Sequence, residues 1–195
     1  MAQVDVVAVE DVRPTLVDAA WAQGHVERGG VCAQRPEEGL RLCFGAVFVD
    51  AAGEASERWL VEADLAVLGV GVDALVAQTA AATCRRLGRV GDVSVRADLG
   101  LRVWQGTGRT GWDGGVVLCP EVLQRRLRSG SVRLASPAIG VVLAWSGGSE
   151  QGDLAAAVGV HEAYVGAEFP VSDVVLSWDA RAWRPYARAG RSTPR

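Results

Sequence analysis

The chain contains no lysine and no asparagine, and it has two histidines and one methionine. Each scarcity closes a route. Without Lys there is no Schiff base and no phosphate loop of the GxxxxGK[ST] kind. Without Asn there is no Cys-His-Asn triad. No two of the four cysteines show the CxxC spacing of zinc and redox sites. No apolar run approaches the roughly 18–20 residues that span a membrane. The opening MAQVDVVAVEDVRP carries acids where a signal peptide carries bases. These absences predict a cytoplasmic protein with no membrane association, no metal and no cofactor.

All 20 basic residues are Arg, and the Ala/Val/Arg/Gly-rich usage points to a GC-rich bacterial genome. A net charge of −3 argues against nucleic acid as a partner. With 195 residues and 49% hydrophobic content, the chain fits one domain with ample core material. Four cysteines in this length do not make a disulfide framework. Cys32, Cys43 and Cys84 therefore read as small buried hydrophobes.

The chain is organised around Gly111–Trp145, which reads as strand, helix, strand, strand. Val116–Leu118 is a short β-branched run that suits a buried strand. Pro120 suits the first position of a helix. In that helix Leu123 and Leu127 share a face, and Ser129-Gly130 ends it. Val132 to Ala135 alternates around Arg133, which predicts a strand with one wet face. Ile139 to Trp145 is apolar on both sides and should lie centrally.

Elsewhere, Gln3 to Val9 reads as a strand. Glu10 to Gln23 reads as a helix, with Leu16/Ala20 on one face and Val17/Trp21 on the next. His25 follows as a solvated residue near the helix end. Leu40 to Asp50 and Arg58 to Val61 form a hairpin, and Asp64 to Leu68 forms one helical turn. Val72 to Leu87 is a helix with a long apolar stripe. Val93 to Ala97 pairs with Leu101 to Trp104. Ser149 caps a helix over Asp153 to Tyr164, with Leu154, Val158, His161 and Val165 near one face. Val171 to Trp178 and Ala182 to Tyr186 close the fold as a hairpin. The order of elements is α+β: a mixed, largely antiparallel sheet with helices packed on its faces, in a single domain over 1–186. Residues 187–195 form a short basic tail.

Two segments, RWLVEADLAVLGVGVDALVAQTAAATCRRL and VVLCPEVLQRRLRSGSVRLASPAIGVVLAW, resemble the bacterial YtpQ-like proteins. In that family a strand leads through an entry turn to a long helix, and a later strand, short helix and strand pair follow. The hairpin with Trp178 and Trp183 is similar too, so the resemblance covers about residues 40–186. The family's Arg-Asp is absent, with Ser136-Pro137-Ala138-Ile139 in its place. The resemblance implies an α+β fold and no activity.

Three functional readings compete. The first is a protein-binding domain of adaptor, accessory or immunity type, reached by elimination. Trp104, Arg109, Trp112 and Asp113 are its candidate contacts, since Trp and Arg dominate interface hot spots. Exposed, the two Trp would form a docking surface; buried, they are ordinary core. The partner is then another protein, with self-association as an alternative. The second reading is a small hydrolase or transferase. Cys119 would be its nucleophile, at a strand-to-helix junction that favours thiolate, and His161 its base. Against it stands the packing role that free Cys usually plays. The third is an anion or nucleotide sensor in the glycine-rich loop 105–115, whose backbone N–H groups could form a nest. His161-Glu162 lacks a second His four residues on, so a zinc site fails at the spacing.

Overall fold

A computed structural model describes residues 12–33, 40–49, 55–87, 92–106 and 113–188. The expected strand at 3–9 and the tail beyond 188 lie outside them. The first described element is β1 (Val12–Asp18), within the span 10–23 where the sequence predicts a helix. The β-branched run of VRPTLVD suits a strand, and Pro14 is tolerated because β1 is an edge strand. The helix starts later, as α1 (Ala19–Glu27). Asp18 sets that boundary: its carboxylate accepts from the backbone N–H of Ala20 at 2.8 Å and of Trp21 at 3.1 Å.

The first sheet is built on β3 (Leu40–Val49). β1 lies on one side of it, and β2 (Cys32–Ala33) and β4 (Ala55–Trp59) lie on the other, all antiparallel. Two helices follow, α2 (Glu62–Leu68) and α3 (Val72–Leu87), the latter over the residues its stripe predicts.

The second sheet has six strands: β5 (Asp92–Arg96), β6 (Leu101–Gln105), β7 (Val132–Ala138), β8 (Val141–Ser146), β9 (Val174–Trp178) and β10 (Trp183–Arg188). Their order is β10-β9-β7-β8-β6-β5, antiparallel throughout. β8 is central, as its doubly apolar run requires. Ser136-Pro137 does not separate two strands as expected. It lies inside β7 at a register shift, and the chain reverses at Ile139–Gly140.

Residues 113–118 correct a second expectation. They form a 3-10 helix (Asp113–Leu118), not a strand. A Cβ on Gly114 would meet the backbone of Thr15 and Leu16 at 2.7–2.8 Å, and one on Gly115 would meet Pro14 at 2.6 Å. The two glycines let this segment press against β1, so Val116 and Val117 reach the core as helical residues. α4 (Pro120–Leu127) follows, with Leu123 and Leu127 buried as expected.

The alternation of the second sheet decides the layering. Trp104, Leu134, Ala144 and Leu176 point to one side. There they join Leu42 and Phe44 of the first sheet and Leu123 of α4 in the main core. Leu101, Ala135, Trp145 and Val175 point to the other side, where α5 (Glu150–Val165) covers them with Ala157 and Val160. Both faces are therefore covered. Arg133, expected on a wet face, is buried beneath α5. The chain is a single-domain α+β fold with two antiparallel sheets. Among the described residues no single helix is long and apolar enough to cross a membrane.

Candidate interaction surface

The structure removes the proposed nucleophile. All four cysteines are bonded, Cys84 to Cys119 with Cα atoms 5.5 Å apart and Cys32 to Cys43 at 4.0 Å. Cys119 is wholly buried. It has no thiol, and His161 stands on α5, across the second sheet from the core that holds it. His161 faces Asp173 instead, Nδ1 to Oδ2 at 3.4 Å. Cys32, Cys43 and Cys84 are likewise cross-links and not free packing residues. Spacing could not show this, because a bridge depends on Cα atoms brought close by folding across separations of 11 and 35 residues.

Trp104 is also wholly buried, in the main core, so its indole is not available to a partner. Its place in β6 put it on the inward side of the sheet. Arg109 and Trp112 lie outside the described residues, as does the side chain of Asp113. The glycine-rich loop is therefore described only at its two ends, 105–106 and 113–115.

The surface that remains is not among the sites the sequence points to. α5 begins at Ser149, whose hydroxyl accepts from the Gly152 N–H at 3.2 Å, as the sequence predicts. A helix packed on a sheet by one face ordinarily carries charge on the other. α5 does not. Its exposed face carries Leu154 (66% exposed), Val158 (49%) and Val165 (68%), with Gly159 and Ala163 beside them. Phe169 (61%) and Ile139 (46%) extend it beyond the helix end. The last two are held together by a hydrogen bond from Ile139 N–H to Phe169 C=O at 3.1 Å. Single exposed apolar residues are ordinary, but five along one helix face and just beyond its end, interrupted by the half-exposed His161, point to a covered surface. The spacing Leu154/Val158/Val165 was visible in the sequence. Only the packing shows that it faces outward.

No family model, curated protein or solved structure matches the chain.

The helix bearing this surface is pinned from beneath. Asp153, in its first turn, pairs with Arg133 of β7 at 3.4 Å and accepts from Trp145 Nε1–H of β8 at 2.9 Å. Arg133 also donates to Ser131 Oγ at 2.9 Å and to Ser177 Oγ at 2.8 Å, and its guanidinium lies 3.9 Å from the Tyr186 ring centroid. β7 and β8 thus hold the start of α5 directly, and β9 and β10 brace it through Arg133, so the outer face is presented on a rigid base.

A second cluster lies on the outer face of the first sheet. His25 stacks on Trp21 (5.0 Å between centroids) and meets Trp59 edge-on (5.8 Å). His25 is buried, which corrects its reading as a solvated helix-end residue. Burial lowers its pKa below the ordinary histidine value. The Arg28 charge lowers it further, and a hydrogen bond with the Leu60 backbone opposes both. Among the described residues no three His, Cys, Asp or Glu side chains converge.

Proposed function

We propose that the chain is a non-enzymatic protein-binding domain, working as an accessory, adaptor or immunity-type component of a larger assembly. The observation that carries this reading is the outward apolar face of α5, continued by Phe169 and Ile139. Leaving the exposed half to two-thirds of each of these side chains in water forgoes on the order of 1 kcal/mol apiece that burial would recover. A covering protein would recover it. The likeness to YtpQ-like proteins adds a fold expectation and no activity.

The sequence alone suggests the cytoplasm. The pairing of all four cysteines supports an oxidising compartment instead, since reducing compartments keep thiols free. A thiol count on denatured protein, alkylated at the moment of cell lysis, decides between them. Labelling of all four cysteines would return the protein to the cytoplasm.

The binding reading is tested with a photo-reactive amino acid at Val158, compared with one at Ala77 on the exposed side of α3. Ultraviolet light in the source cells is expected to yield a discrete adduct from position 158 and none from 77. Equal, diffuse labelling from both positions would remove the reading.

A further inference from the structure

We propose that the α5 face receives an amphipathic helix of a partner protein, with its apolar stripe flanked at both ends by Lys or Arg. This inference rests on the protein-binding reading above and names the chemistry of the partner.

Charge carries the argument. From Leu134 to Ala180 the sequence has no Lys or Arg, but it has six carboxylates. Three of them meet basic side chains within the protein: Asp153 with Arg133, Asp173 with His161 and Asp179 with Arg184. The other three, Glu150, Glu162 and Glu168, are exposed around the apolar face.

Their placement is ordered. Glu150, Leu154, Val158 and Glu162 follow one another at four-residue spacing, so they form one row along the helix. A rise of 1.5 Å per residue sets the two glutamates about 18 Å apart along the axis, with two aliphatic side chains between them. Ala155, Gly159 and Ala163 make the adjacent row low, which opens a shallow groove. A row of ridges beside a groove is the surface into which another helix packs. A helix with the pattern basic-x-x-x-apolar-x-x-x-apolar-x-x-x-basic matches that row in length and sign in either direction. A second copy of α5 would instead bring carboxylates against carboxylates, and an anionic lipid surface would be repelled for the same reason.

The test uses fluorescence anisotropy with a labelled, capped Ala/Gln-based peptide carrying Lys-x-x-x-Leu-x-x-x-Leu-x-x-x-Lys, and its twin with Glu for both Lys. The basic peptide is expected to bind about tenfold tighter than the acidic one, and to weaken as NaCl is raised. Leu154→Gln with Val158→Gln should abolish binding of both peptides. Glu150→Gln with Glu162→Gln should remove the preference for Lys while leaving the apolar contribution. All four positions are exposed, so folding should be retained, which circular dichroism checks. Equal binding of the two peptides, or none of either, overturns the inference. If the photo-adduct at Val158 still forms, the binding reading survives that failure. A concentration-dependent dimer on gel filtration that Leu154→Gln dissolves would also overturn it, by showing that a second copy covers the face.

Discussion

Gly30 and His25 compete for one small volume: a Cβ built on Gly30 would fall on the imidazole ring. The ring is walled by Trp21 and Trp59, so it has little room to retreat. Gly30→Ala is therefore expected to cost about 1–3 kcal/mol, the usual penalty for overpacking, read as a lowered urea midpoint at unchanged slope. The same imidazole gives stability a pH dependence. Its folded pKa is below the ordinary 6.5, so the unfolded chain takes up a proton that the fold resists. Its contribution is complete above about pH 6.5 and falls as pH drops from there toward the folded value. Asp64 adds a lower limb. The Arg58 hydrogen bond, at 2.7 and 2.8 Å, holds its carboxyl below the ordinary 3.8, assisted by the Val61 N–H. That stabilisation is present above pH 3.8 and is lost as pH falls through the folded value. Urea midpoints measured against pH should show both limbs. His25→Phe should flatten the upper one and Asp64→Asn the lower one. An unaltered upper limb in the His25 variant would show that another group titrates there.

Among the elements, α5 is tied to its sheet by a buried polar contact. Arg133 and Asp153 are both buried, with side-chain exposures of 10% and 5%. Arg133→Met leaves the Asp153 carboxylate beneath the helix without its cation, a change that typically costs about 3–5 kcal/mol. Replacing the pair together, Arg133→Met with Asp153→Leu, is expected to recover much of that loss, because two apolar groups need no partner. A double-mutant cycle in urea measures the coupling, and strict additivity would show that the pair is not linked in this way. The sequence predicted the helix here and its Ser149 cap. It did not predict the ion pair, because the Arg133 alternation looks the same whether water or a helix lies above it. β1 and the 3-10 helix show a related ambiguity. VRPTLVD and DGGVVL are short apolar runs whose state depends on what lies beside them: β3 for the first, and the backbone of β1 for the second.

For the molecule as a whole, one core draws on both sheets. Leu42 and Phe44 of the first sheet sit in the same cluster as Leu134 and Leu176 of the second. The two sheets should therefore unfold together. Leu42→Ala and Leu134→Ala are each expected to lower stability by about 2–5 kcal/mol and to shift a single transition, whether followed by tryptophan fluorescence or by far-ultraviolet circular dichroism. Two separated transitions, each sensitive to only one of the substitutions, would divide the chain into two units. Charge is distributed on the same scale. Arg85, Arg86, Arg125 and Arg126 lie in the last turns of α3 and α4, where they offset the negative helix ends, whereas the stretch from Leu134 to Ala180, which contains α5, has no Lys or Arg.

The residue order by itself determined what local rules can decide. It determined the bounds of α3, the start of α4 at Pro120, the central place of β8 and the α+β class, because periodicity and caps act within a few residues of the chain. It also determined that no lysine chemistry is available. The tertiary structure decided which way each face points. Burial is a property of what packs from elsewhere in the chain. It turned Trp104 inward, joined Cys84 to Cys119, drew His25 out of solvent, and left Leu154, Val158 and Val165 on the outside.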